Sequence, residues 1–171
     1  MQIIYIAAAF AVGAGNAVQL AMISAMGRQR APLEASWTSL MGTVAGFALV
    51  LGIKSLTNAH VVLPAPFDRV SAWAVLAVAS SVALGLVMRG LPAYLAITGF
   101  FAIALLTGVA FFGPKIGIGL FLGALLAGQL VAAVVLDHIG AFGSPVRHIH
   151  VPRALGIVAL LGGVALIRGV K

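Results

Sequence analysis

Few polar side chains interrupt the long apolar stretches of this sequence, and those few could bind a solute. Asn16 and Gln19 lie three residues apart, so they share one face of a helix. Gln129 lies in a later stretch, with Asp137 about two helical turns further along. Amides and carboxylates hydrogen-bond polar or cationic solutes, and polar residues of membrane helices usually face the bundle interior. We predict that Gln19, Gln129 and Asn16 bind a substrate in a central cavity.

The same amides have a second interpretation. Asn and Gln side chains also form hydrogen bonds between helices and thereby hold a membrane bundle together. The sequence leaves cavity lining and helix packing open as alternatives.

Asp137 lies where an apolar stretch ends, and His138 follows it directly. A carboxylate beside an imidazole could take up and release protons, so we regard Asp137 and His138 as candidates for proton coupling. The helix dipole opposes an acid at a helix C-terminus, so Asp137 needs a partner such as Arg147, Arg153 or His138. The alternative is that Asp137 only anchors a loop at the membrane surface.

The other acids and histidines have simpler interpretations. Glu34 opens the second apolar stretch, where a negative charge stabilises a helix N-terminus. His148 and His150 could form a metal pair, but no carboxylate or cysteine stands nearby at a ligand spacing. We expect no metal and no cofactor.

The composition identifies lipid as the solvent of most of the chain. Of 171 residues, 63% are apolar, 8% are charged and none is cysteine. A soluble domain carries about 25% charged residues, so this chain cannot cover itself with polar groups. Without cysteine, disulfides, iron–sulfur clusters and thiolate zinc sites are excluded. The net charge of +7 comes from cations spread singly over loops, which indicates anchoring at lipid headgroups rather than nucleic-acid binding.

Six apolar stretches are long enough to cross a bilayer, since a helix needs about 20 residues to do so. Their continuous apolar character differs from the alternation of a β-barrel. We predict an all-α, polytopic transmembrane helix bundle in a single domain, residues 1–171, with spans at about residues 3–26, 34–57, 70–88, 93–112, 116–136 and 154–170. The first is too long for a signal peptide and lacks its positive flank, so we expect it to be retained. We expect a tight turn at Gly113-Pro114-Lys115.

The cations give no preferred orientation in the membrane. Six crossings divide the ten of them equally, as Lys54, Arg69, Lys115, Arg168 and Lys171 on one side and Arg28, Arg30, Arg89, Arg147 and Arg153 on the other. The positive-inside rule therefore returns a tie. The chain either inserts both ways, which is a simple route to an antiparallel dimer, or is oriented by something outside itself. The alternative is one ordinary topology with a weak bias.

Small-residue tracks indicate close helix contacts, within or between chains. They are Gly42/Gly46, Gly113/Gly117, Gly119/Gly123 with Gly128, and Ala159/Gly163. Phosphate-binding loops, HExxH and GxSxG are absent from the sequence, so we expect no enzyme.

Several motifs carry a family resemblance. They are APLEA at 31–35, LPAY at 91–94, GPKIG at 113–117, GQL at 128–130, DHIGAFG at 137–143 and RALG at 153–156. In these motifs the chain resembles the YdcZ-type family of small bacterial inner-membrane proteins, part of the drug/metabolite transporter (DMT) superfamily. The resemblance covers about residues 3–57 and 89–170.

The resemblance implies a five-helix unit that is half of a ten-helix transporter, with residues 70–88 as an additional span. It implies a secondary transporter half in the bacterial inner membrane, moving a small organic metabolite or amphiphilic drug by alternating access without ATP. A second copy, antiparallel or not, or an inverted paralogue would complete it. Small multidrug resistance proteins of this superfamily use a carboxylate in their first helix, which this chain lacks. The competing class is a non-transporting scaffold or accessory subunit of a membrane complex.

Overall fold

The computed structural model describes residues 2–57 and 63–169, and its regular structure is helical. The helices are α1 Gln2–Gln29, α2 Pro32–Leu56, α3 Val70–Val87, α4 Thr98–Ile116, α5 Ile118–Ile139 and α6 Val151–Arg168, with 3-10 segments at Ala93–Ile97 and Ala141–Gly143. No strand occurs within the described ranges. The predicted all-α class is confirmed.

Six helical segments are long and apolar enough to cross a membrane, when Ala93–Ile97 and α4 are counted as one segment. The shortest of them include α3, whose 18 residues extend about 27 Å at 1.5 Å per residue. The predicted number of spanning helices is therefore confirmed.

The break between the fourth and fifth helices is not where the sequence predicted it. Pro114 lies inside α4, which continues to Ile116. The helix ends at Gly117, whose φ of +83° is a conformation that L side chains rarely adopt. Proline is tolerated this close to a helix end, because the hydrogen bond that it removes is one of the last in the helix.

The contacts within the chain divide it into two compact units. One is residues 26–103, and the other is residues 1–25 together with 104–171. The unit of residues 26–103 is built on the antiparallel pair α2 and α3. Trp73, near the start of α3, packs against Ala48 in the second half of α2. The Trp73 indole Nε1 donates a hydrogen bond to the Phe67 carbonyl oxygen at 2.9 Å, so it ties the preceding loop to the helix.

The far end of α3 is held by an arginine that precedes α2. The Arg30 guanidinium donates to the carbonyl oxygen of Val87 at 2.5 Å and to that of Arg89. The last carbonyls of a helix have no partner within the helix, and a cation there also complements the dipole. Arg30 therefore caps α3.

A close backbone contact joins α2 to the start of α4 in the same unit. A Cβ on Gly99 would overlap the backbone of Gly42, which shows that the backbones of α2 and α4 touch here without side chains between them. Small residues permit this approach in membrane helices. The predicted close contact at Gly42 is present, with Gly99 as its partner.

The other unit contains most of α1 and α4, with α5 and α6. Its core is Ala9, Phe121, Ala124 and Leu125, surrounded by partly buried apolar side chains. A Cβ on Gly123 of α5 would lie 3.4 Å from the Val164 side chain of α6. The core of this unit is therefore entirely apolar.

Candidate functional site

The predicted amides lie beside the crossing of α1 and α5. A Cβ on Gly13 would overlap the carbonyl oxygen of Leu125 and lie 3.0 Å from the backbone nitrogen of Gln129. A Cβ on Gly128 would overlap the carbonyl oxygen of Phe10. The two helices therefore meet backbone to backbone, because each has a glycine where it faces the other.

The helices run in the same direction at this crossing, since Ile3 lines a groove with Leu120 while Phe10 lies against Gly128. Gln129 is level with Gly13, and Asn16 follows Gly13 by about 4.5 Å along the helix axis. The two amide-bearing stripes are thus brought to adjacent levels of one helix pair. Gln19 lies one turn beyond Asn16.

The three amides differ in burial. Gln19 is buried, with 8% of its surface exposed, and it has an interaction partner. Asn16 and Gln129 are half-buried, and among the described residues neither side chain has a hydrogen-bond partner. Asn16 and Gln129 can therefore offer their amides to a solute, whereas Gln19 would first have to exchange its present partner.

Asp137 lies in the last turn of α5 and pairs with α6. Its Oδ2 is 3.5 Å from Nη2 of Arg153, with 41% of the Asp137 side chain and 27% of the Arg153 side chain exposed. Its carbonyl oxygen accepts a hydrogen bond from the backbone N–H of Arg147 at 2.8 Å. Of the predicted partners, Arg153 provides the opposing charge and Arg147 a backbone donor.

His138 is exposed and engages the loop rather than Asp137. Its Nδ1 accepts a hydrogen bond from the backbone N–H of Ile149 at 3.2 Å. Its ring lies 5.4 Å from the ring of His148, nearly edge to face. The two predicted coupling residues are adjacent in sequence, but the described structure gives them separate partners.

The remaining predicted residues lie elsewhere. Glu34 is in the first turn of α2, as expected for a charge that stabilises a helix N-terminus. His148 and His150 are exposed in the loop before α6. In residues 2–57 and 63–169, no group of three potential metal-binding side chains is found.

The small-residue tracks contribute unequally to the packing. A Cβ on Gly119, Gly156 or Gly163 would meet no atom within 4 Å, so these positions are open. Gly13 makes one of the closest contacts of α1, and sequence reasoning missed it because its partner Leu125 lies more than a hundred residues away in the chain. The signal that could have identified it is the Gly13-Ala14-Gly15 run in the alanine-rich first apolar stretch.

The chain matches a known protein family. The family described as "Putative inner membrane exporter, YdcZ" matches residues 4–166. That range includes α3, which the sequence resemblance had left outside. No curated protein and no solved structure matches the chain. With nearly its whole length matched and six helices able to span a bilayer, this multi-pass inner-membrane protein belongs to the YdcZ family of the DMT type.

Proposed function

We propose that the chain is one half of a secondary exporter that moves a small organic metabolite or an amphiphilic drug by alternating access. The family description supports export across the inner membrane, and six helices of the chain are long and apolar enough to cross it. In transporters built from two inverted halves, the solute lies near the midplane where the halves meet. A second copy or an inverted paralogue supplies the other half.

The observation that carries the solute site is the α1–α5 crossing at Gly13 and Gly128. Gln129 and Asn16 lie at neighbouring levels there, and their half-buried amides are available as donors and acceptors. Gln19 contributes after exchanging its present partner. A neutral amide site of this kind suits a polar solute whose groups match these donors and acceptors.

The energy source in this proposal is a proton gradient acting at Asp137. The Asp137–Arg153 contact is long and partly exposed, so its contribution to folding is about 0.2–1 kcal/mol. A pair this weak can open and close during a transport cycle without unfolding the protein. His138, next in sequence, is the second proposed coupling residue.

Two measurements test the export proposal. A thermal-shift screen of metabolites and cationic drugs on the purified protein identifies compounds that bind, because a ligand raises the unfolding temperature of the state that it binds. Counterflow in liposomes then tests whether a binding compound is transported. Binding without counterflow, together with co-purification of a partner, would favour the scaffold class instead.

The dimer is tested separately through membrane orientation. Three lysines added to one side bias insertion toward a single orientation. We expect such a variant to lose activity and to regain it when an oppositely biased variant is co-expressed. Full activity of one biased variant as purified protein would contradict the antiparallel homodimer.

A further inference from the structure

An apolar groove with one cationic end runs along α1, α5 and α6, and it is separate from the amide site. It has a volume of about 210 Å³. Its floor is made of the buried residues Ala124 and Ala127, and the exposed Ala165 lines it from α6. From Ile3 to Phe10 it follows α1 for about 10 Å. The groove faces outward, since 62% of Ile3 is exposed.

Arg168, the last residue of α6, is the only charged residue that lines this groove. No ion-pair partner for Arg168 is found in the part of the chain that the structure describes. The acid of the same unit is Asp137, which is engaged by Arg153 and lies about 25 Å further along α5 than Leu120 at the Arg168 end of the groove. Among the described residues of this unit, no acid therefore lies near the Arg168 charge.

The same end of the groove also carries two helix N-termini. α1 begins at Gln2 and α5 at Ile118, next to the groove residues Ile3 and Leu120. The N-terminus of a helix has a partial positive charge. The C-termini of α4, at Ile116, and of α6, at Arg168, lie at the same end and oppose this effect, so the Arg168 charge is the group that favours an anion there.

We propose that the groove binds one anionic phospholipid of the bilayer, with an acyl chain over the alanine floor and the phosphate at Arg168. The walls fit a hydrocarbon chain, because the groove residues other than Arg168 are apolar. A second copy of the chain would have to bring one of its three acidic residues to Arg168, whereas an anionic lipid carries its charge in the headgroup, at the level of the helix ends. The site does not depend on the transport proposal.

Native mass spectrometry of the delipidated protein in detergent tests the site. Phosphatidylglycerol and phosphatidylcholine with identical acyl chains are titrated separately. We expect phosphatidylglycerol to bind more tightly, and Arg168→Gln to weaken it about fivefold, as for loss of one basic contact to an anionic membrane lipid. Arg69→Gln is the matched control, since Arg69 is exposed and lies outside the groove.

The acyl chain is tested at Ala165, which lines the groove from α6. Ala165→Phe is expected to reduce binding of both lipids, and Ala165→Leu to reduce it less, since Ala165 is exposed and a larger side chain there fills the groove. Glycerol phosphate, which has the anionic head without the chain, should not displace the bound lipid. Unfolding temperatures of the variants establish that they are folded.

Three outcomes would overturn the proposal. Equal losses of phosphatidylglycerol binding in Arg168→Gln and Arg69→Gln would mean that the positive charge of the protein attracts anionic lipid in general, without a site at Arg168. Displacement by glycerol phosphate would mean that the site takes a free anion. Unchanged lipid binding in folded Ala165→Phe and Ala165→Leu, with a changed monomer–dimer ratio, would mean that a second copy covers the groove.

Discussion

Arg30 and Arg89 lie together at one end of the α2–α3 pair, because the Arg30 guanidinium donates a hydrogen bond to the backbone carbonyl oxygen of Arg89. Trp73 near the start of α3 packs against Ala48 and Gly52 in the second half of α2. The loops before and after α3 therefore lie at opposite ends of this helix pair. A helix pair with this geometry would place Asp68 and Arg89 on opposite sides of the membrane.

Labelling tests this topology directly, because the sequence has no cysteine that would react in the background. We expect Asp68→Cys and Arg89→Cys to react with an impermeant maleimide from opposite sides. Gln29→Cys should react from the same side as Arg89→Cys. The measurement requires a background with three lysines added to one side, so that one orientation dominates. Labelling of positions 68 and 89 from the same side would mean that α3 does not cross.

The α1–α5 crossing should tolerate no added side chain at its centre. Gly128→Ala places a methyl group on the Phe10 carbonyl oxygen, and we expect a loss of about 1–3 kcal/mol in the free energy of unfolding. Gly163→Ala is the matched control within α6, because its Cβ meets open space. Since alanine is the better helix former, the control should keep or raise the unfolding temperature. Equal destabilisation of both variants would contradict the close crossing.

Gln129 and Gln19 should affect transport more than folding. Gln129→Ala removes a hydrogen bond to the solute, and we expect the substrate Kd to rise about tenfold in a thermal-shift or binding titration. Gln19→Ala should also lower transport, with a stability loss of about 0.6 kcal/mol, the average for interhelical hydrogen bonds in membranes. Gln29→Ala, an exposed amide at the end of α1, should change neither quantity. Loss of folded protein in the Gln19 or Gln129 variant would support the packing interpretation.

Asp137→Asn should separate coupling from binding. It removes the charge opposite Arg153 but costs little stability, because that pair is partly exposed. We expect uptake driven by a pH gradient to be lost while counterflow at equal pH continues. Asp68→Asn, in the loop before α3, is the control and should retain both activities. Retained pH-driven transport in Asp137→Asn would mean that Asp137 is a loop anchor.

The helices were predictable because one physical requirement dominates this sequence. In lipid every backbone polar group must be satisfied within the helix, so continuous apolar stretches specify helices directly. Helix ends were less predictable. Pro114 suggested an end that Gly117 provides, because proline alone does not stop a helix that is already near its last turn.

The residue types of the site could be predicted from the sequence, but not which helices and side chains contact each other. The sequence named Asn16 and Gln129, but only the contact of Gly13 with the Leu125–Gln129 backbone shows that their helices touch. Asp137 needed a cation, and three residues could have served. In the structure Asp137 pairs with Arg153 and His138 accepts a hydrogen bond from Ile149, on either side of a loop in which Phe142 has a positive φ of 55°. Such choices depend on tertiary geometry that no local pattern encodes.

The two tryptophans of the chain stand at opposite ends of the α2–α3 pair. Trp37, near the start of α2, is 51% exposed, whereas Trp73, whose indole is bonded to Phe67, is 6% exposed. A variant that keeps only one of the two tryptophans therefore fluoresces from one known end of this helix pair. An impermeant fluorescence quencher added outside sealed vesicles would reach Trp37 in only one of the two insertion orientations. The quenched fraction would measure, without any attached dye, how the population divides between them.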